Sequence, residues 1–119
     1  MASPMIEQIQ QRVSTPRLCE PAPDSKLLQE IYRCALRAPD HKVLRPWRYL
    51  VVEGDARARL GELFCQCAEK TDGPLASEQR EKLKNKPLRA PLILIGISTN
   101  QDHPKVPVFE QQVSCGVGI

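Results

Sequence analysis

The chain has 119 residues, with 17 Lys and Arg against 14 Asp and Glu, which gives a formal net charge of +3. This length leaves room for one domain with one modest core, and the weak, scattered positive charge gives no reason to expect a nucleic-acid partner. Since the N-terminus lacks an apolar stretch of signal-peptide length and the longest apolar run is too short to cross a bilayer, we expect a cytoplasmic protein without a membrane partner.

The cysteines and histidines do not form a metal-binding pattern. Five cysteines stand at positions 19, 34, 65, 67 and 115, an odd number at irregular spacings that is typical of reduced thiols. Residues two apart point to different faces of a helix, so Cys65 and Cys67 cannot bind one metal ion together. We expect one of them to be a buried free thiol and the other simply its neighbour in the sequence. Neither His41 nor His103 has a Cys or carboxylate at a ligand spacing. We therefore expect no metal.

Two amphipathic helices are predicted in the first third of the chain. The first begins at Ser3-Pro4, delivers Arg12 to its C-terminal end and stops at Thr15-Pro16. An extended connector at residues 20–23 leads to Asp24, which can cap the second helix. The apolar residues that recur at helical spacing are Met5, Ile6, Ile9 and Val13 in the first helix and Leu27, Leu28, Ile31 and Ala35 in the second.

An irregular loop, a strand and a third helix are predicted next. Polar and basic residues around a second proline indicate a loop at residues 40–47, and loops of this kind often carry sites. A strand is predicted for Tyr49 to Glu53, and Gly54-Asp55 turns the chain into the third helix. The predicted buried face of that helix is Leu60, Leu63, Phe64 and Cys67.

The remaining segments are a polar helix, a buried strand and a final helix. Residues 77–86 are polar enough for a surface helix, and the basic cluster of residues 82–89 is interpreted as a solvated face rather than a phosphate site. Leu92 to Ile97 is predicted to be a buried strand in which Gly96 has a close neighbour. A helix begins near Pro107 and reaches the last residue without a polar cap, so we expect an N-terminal portion of a longer domain. Its apolar face is Val108, Phe109, Val113 and Val117.

Several motifs in this order resemble the minimal bacterial FMN-dependent NAD(P)H nitroreductases. RAPDHK at positions 37–42 and RPWRYLVVEG at positions 45–54 resemble the second helix, the site loop and the first core strand of that family. Matching blocks also occur at residues 12–14, 20–23, 89–93, 105–107 and 110–111. Arg45 stands where relatives commonly carry Gln before Pro-Trp.

The resemblance implies a fold, a partner and a reaction. The fold is an α+β, nitroreductase-like sandwich with a central antiparallel-type sheet flanked by helices, present here as a single domain over residues 1–119 that is incomplete at its C-terminus. The partner is a second copy, in a homodimer with FMN at the subunit interface. NAD(P)H would be the electron donor, and a nitro compound or quinone-like acceptor would be reduced by ping-pong hydride transfer. Because the flavin supplies the reactivity, no catalytic side chain is expected.

The resemblance implies five cofactor-binding residues: Arg12, Val13, Ser14, Arg37 and His41. A guanidinium can bind phosphate oxygens in a bidentate manner, and a serine hydroxyl can donate one more hydrogen bond. Val13 replaces the second arginine usual in the family, although its backbone N–H can still serve. Arg37 and His41 would contact the flavin, with His41 reaching the cofactor bound mainly by the other subunit. Without the resemblance, Arg37 would be interpreted as a helix C-terminal charge and His41 as a loop residue.

Two other functions stay open on the sequence. One is a noncatalytic truncated remnant that binds flavin weakly or pairs with an intact relative. The other is a nucleic-acid-binding domain built on the basic cluster of residues 82–89, whose binding would weaken steeply with salt.

Overall fold

The computed structural model describes residues 3–119, which form a mixed α and β fold. In chain order the elements of this part are α1 (Pro4–Gln11), α2 (Ser25–Ala35), β1 (Trp47–Glu53), α3 (Asp55–Asp72), α4 (Ser77–Asn85), β2 (Leu92–Ser98) and α5 (Val108–Val117), with short 3-10 turns at His41–Val43 and Lys86–Arg89. Each helix and strand that the sequence predicts is present, and the strands extend slightly beyond their predicted ends. The first helix ends earlier than predicted, at Gln11, because the backbone is already extended at Arg12, so Val13 lies outside it.

The predicted helix starts are also confirmed by their capping contacts. The Ser3 hydroxyl accepts a hydrogen bond from the Ile6 N–H at 3.4 Å, and an Asp24 carboxylate oxygen accepts one from the Leu27 N–H at 2.8 Å. Each bond satisfies an N–H group that the first turn of a helix leaves without a partner. Arg12 directly follows α1 and caps its C-terminal end.

The sheet consists of β1 and β2, which pair antiparallel from Trp47 opposite Ser98 to Glu53 opposite Leu92. Gly96 lies opposite Tyr49, and a Cβ atom at Gly96 would stand 2.5 Å from Cδ1 of Ile119. The close neighbour predicted for this glycine is therefore confirmed. β2 itself is half-buried along its whole length, so the prediction of a buried strand was too strong.

The buried face of α3 differs from the predicted one. Gly61 and Cys65 are buried against α4, whereas Leu63, Phe64 and Cys67 are exposed. Small residues allow the two helices to approach, since a Cβ atom on Gly61 would overlap the backbone carbonyl of Lys84. The prediction of one buried and one neighbouring cysteine is confirmed, but the buried one is Cys65, so the face was assigned wrongly.

A similar reversal occurs in α5. Its buried residues are Gln111 and Cys115, and its predicted apolar face is uncovered, with Phe109 72% exposed. The apolar residues of α1 are exposed as well, Ile9 among them at 68%. A helix of this kind buries its large apolar residues only against a further protein surface.

The described residues form an open structure with little enclosed core. The radius of gyration is 17.9 Å, against about 13.5 Å for a compact domain of this length. The accessible surface is 9491 Å², which exceeds the area expected for a compact monomer of this mass by about 3,000 Å². Among residues 3–119, no helix has the length and apolar character that a membrane crossing requires.

Candidate functional site

The segment that follows α1 carries the first three predicted site residues, Arg12, Val13 and Ser14. The Arg12 backbone is extended, and its N–H donates to the Ile9 carbonyl at 3.3 Å. One guanidinium nitrogen donates to the Ser14 hydroxyl across 3.4 Å, and all three residues are exposed. A bond of this length is weak, so the guanidinium keeps most of its donors for an anion.

The connector after Ser14 is fastened to the turn that precedes β2. The Arg89 side chain donates from Nε to the Pro16 carbonyl at 2.7 Å, and the Leu18 N–H donates to the Arg89 carbonyl at 2.7 Å. These two bonds fix the chain only a few residues beyond Ser14. Residues 12–14 are therefore exposed, but the chain just after them is held against the turn before β2.

The fourth predicted residue, Arg37, lies just beyond the C-terminal end of α2 and lines a cleft of about 560 Å³. The cleft is also lined by Asp40, Arg45 and Trp47, so it combines two guanidinium groups with one carboxylate and an indole ring. Trp47 is half-buried and lines this cleft. The position that departs from the family pattern, Arg45, thus lies beside a predicted site residue.

The loop between α2 and β1 holds an unusual backbone. Lys42, Val43 and Arg45 have positive φ angles of 65°, 53° and 49°. A non-glycine residue in this region costs about 1–3 kcal/mol and persists only where its surroundings hold it. The Asp40 carboxylate helps to stabilise this backbone conformation, because it accepts hydrogen bonds from the N–H groups of Leu44 at 3.1 Å and Arg45 at 2.8 Å.

The fifth predicted residue, His41, opens the 3-10 turn of this loop and contacts α5. Its Nδ1 lies 3.0 Å from Oε2 of Glu110, and both side chains are about half exposed. Sequence spacing gave His41 no carboxylate neighbour, because Glu110 is 69 residues away along the chain. Glu110 is the contact of the site that the spacing of residues could not reveal.

The other end of the same loop is held through a buried amide. Gln111 accepts from the Gln101 N–H at 2.9 Å and donates to the carbonyls of Gln101 at 2.9 Å and Val106 at 3.0 Å. Gln101 in turn donates from its side chain to the Leu44 carbonyl at 3.0 Å. Two adjacent residues of α5, Glu110 and Gln111, therefore support the loop at its beginning and its end.

The five predicted residues fall into two groups. Arg37 and His41 flank one loop, whereas residues 12–14 follow a different helix and do not line the cleft beside Arg37. No hydrogen bond within residues 3–119 joins one group to the other. The predicted site residues of a single chain thus lie in two separate groups.

A larger cleft, of about 1090 Å³, lies elsewhere, between the connector after Ser14, the end of α3 and α4. Lys82, Lys86 and Arg89 of the basic cluster line it together with several leucines, but none of the five predicted residues does. Its size therefore does not make it the candidate site. In the described part of the chain, no group of three or more His, Cys, Asp or Glu side chains could hold a metal ion.

Comparison with known proteins identifies the family. The chain is 38% identical over 114 residues to a protein of Escherichia coli strain K12 named "Putative NAD(P)H nitroreductase YdjA", a match that covers 96% of this chain and 61% of that protein. It is 36% identical over 107 residues to the "Putative NAD(P)H nitroreductase" of Haemophilus influenzae, covering 88% of this chain and 56% of that one. The chain therefore spans about three fifths of the length of these relatives.

The fold comparison agrees with the sequence comparison. The structure of a nitroreductase-like family protein from Bacillus cereus superposes with a TM-score of 0.75 at 21% identity, covering 99% of this chain and 61% of that one. This likeness confirms the predicted α+β, nitroreductase-like fold. The family model named "Nitroreductase family" matches residues 9–119. The chain belongs to the nitroreductase family.

Proposed function

We propose that the complete protein carrying this chain is an FMN-dependent NAD(P)H oxidoreductase that reduces nitro compounds or quinone-like acceptors by ping-pong hydride transfer. The observation that carries the proposal is membership of the nitroreductase family over residues 9–119. Two relatives that carry the name NAD(P)H nitroreductase match most of the same length.

The residues of the chain fit the two chemically different parts of FMN. A phosphate group requires a cation and hydrogen-bond donors, which the exposed Arg12 guanidinium, the Val13 N–H and the Ser14 hydroxyl can provide. The flavin ring requires donors where negative charge accumulates, and Arg37 and His41 can supply them beside the cleft. Bound FMN would provide the hydride chemistry, while these side chains bind and orient the cofactor.

A homodimer accounts for the separation of the predicted site residues into two groups and for part of the open surface. Each chain presents about 3,000 Å² more surface than a compact monomer of its mass, which the remaining part of the domain and a second subunit would cover between them. In a two-fold dimer, residues 12–14 of one subunit and His41 of the other would contact the same cofactor, so that each site is completed by the second copy. The separation of the two groups within one chain supports this arrangement.

The proposal is tested by anaerobic reduction of the complete purified protein. We expect the protein to carry a flavin absorbance band that bleaches on addition of NADH or NADPH and returns when a nitroaromatic compound or a quinone is added. Steady-state double-reciprocal plots should give parallel lines, as two reactants that use one pocket in turn require. Protein that neither retains nor rebinds FMN would contradict the proposal and would support the noncatalytic alternative.

A further inference from the structure

The first turn of α5 contacts the His41 loop at two points. Glu110 meets the His41 ring at 3.0 Å, while its neighbour Gln111 holds Gln101, which bonds to the Leu44 carbonyl. Gln111 is itself buried. Of the two supports, the buried amide fixes the position of the backbone, whereas the carboxylate reaches only the imidazole.

The Glu110 contact is of a kind that orients a side chain rather than stabilising a fold. Both side chains are about half exposed, and ion pairs between exposed groups contribute little to folding stability. A carboxylate oxygen can only accept a hydrogen bond, so Nδ1 must carry the proton that it receives. This contact therefore selects the Nδ1–H tautomer of a neutral His41 ring and leaves Nε2 free for another partner.

We propose that Glu110 is a positioning residue for the cofactor site. It fixes the ring orientation and the tautomer of His41, so that Nε2 is presented to the flavin in a defined direction. The inference rests on the proposed function, because it assumes that His41 contacts the flavin. It adds to that function a residue on α5 that acts through His41 and not by touching the cofactor.

The tautomer of His41 is measured directly by ¹⁵N NMR of the imidazole ring in the complete, FMN-free protein, under conditions where the spectrum is that of a neutral ring. We expect the proton on Nδ1 in the unaltered protein. Glu110→Ala should move it largely to Nε2, and Glu110→Gln, whose amide can accept or donate, should give a mixture. Glu78→Gln is the matched control, since it removes a carboxylate from the first turn of α4 and should change nothing. An unchanged tautomer in Glu110→Ala would overturn the inference.

A double-mutant cycle on the FMN dissociation constant separates this inference from the proposed function. His41→Ala and Glu110→Ala should each weaken FMN binding by about tenfold, and the double variant should be no weaker than His41→Ala alone. Full additivity would show that Glu110 does not act through His41. Should His41→Ala weaken binding while Glu110→Ala and Glu110→Gln do not, the inference fails and the proposed function stands. If His41→Ala binds as the unaltered protein does, the cofactor contact itself is wrong.

Discussion

Gly61 on α3 lies directly against the backbone carbonyl of Lys84 on α4, with no room between them for a Cβ atom. The close approach brings the Arg80 guanidinium of α4 between Glu62 and Glu69 of α3, and it pairs with both. The Cys65 thiol donates to the Arg80 carbonyl at 3.4 Å in the same contact. A glycine thus sets the distance at which these two helices pack.

Replacing Gly61 should therefore destabilise the protein. Gly61→Ala forces α4 away from α3, and overpacking of this kind costs about 1–3 kcal/mol, of which the better helix propensity of alanine returns about 0.5–1 kcal/mol. The matched control is Gly116→Ala in α5, where an added Cβ meets nothing within 4 Å and should leave stability unchanged or slightly higher. Chemical denaturation of both variants in the complete protein measures the difference. Equal stabilities would show that the helices do not pack as described.

The buried amide of Gln111 gives a second stability prediction. Gln111→Leu leaves the buried Val106 carbonyl without its partner, at a cost of about 1–3 kcal/mol, and also removes two part-buried hydrogen bonds to the Gln101 backbone. Gln112→Leu, at the exposed neighbouring position, should change the unfolding free energy by no more than about 0.5 kcal/mol. The two melting curves should differ clearly, and coincident curves would exclude the network as a source of stability.

Ionisation of the Tyr49 hydroxyl should lower the free energy of unfolding at alkaline pH. Burial, followed by the nearby Cys115 thiol, raises the pKa of Tyr49 above its ordinary value of 10.0. An acid whose pKa is raised by folding contributes stability that is complete below the unfolded pKa and is lost as the pH rises through the folded pKa. The unfolding free energy should therefore fall from about pH 10 upward. This slope should be smaller in Tyr49→Phe than in Tyr32→Phe, and equal slopes in the two variants would contradict the assignment.

The elements of the fold could be predicted from the sequence, but two of their buried faces could not. Helix starts at Ser3 and Asp24 follow from local capping chemistry, which nearby residues determine. The faces of α3 and α5 were assigned from large apolar residues, whereas Gly61, Cys65 and Gln111 make the contacts within the chain. The spacing of apolar residues indicates which face of a helix is buried against another protein surface, but it does not show whether that surface belongs to the same chain.

The site could be predicted only as a set of separate residues. Arg12, Ser14, Arg37 and His41 were assigned through a family resemblance, and their roles remain predictions. The Glu110 contact of His41 could not be found from spacing, since it joins a loop to a helix 69 residues later. Such a contact follows from the way in which the tertiary structure places α5 against the loop.

The uncovered apolar surface predicts how residues 1–119 behave when expressed without a partner. The exposed faces of α1 and α5 should drive association, so we expect poorly soluble or aggregated protein with little or no FMN. Size-exclusion chromatography with light scattering and a flavin absorbance spectrum measure both properties. A monodisperse, yellow preparation that melts cooperatively would contradict this expectation, because it would show that residues 1–119 fold and bind FMN without a further protein surface against α1 and α5.

We propose that Arg12 of one subunit and His41 of the other bind the same flavin. The FMN content of a mixed dimer of the complete protein, in which one chain carries Arg12→Ala and the other His41→Ala, tests this arrangement. One site then contains both substitutions and the other contains neither, so we expect half of the flavin to be retained with unaltered affinity and the other half to be lost. Two equally impaired sites in that mixed dimer would contradict it, because Arg12 and His41 would then serve the flavin from the same subunit.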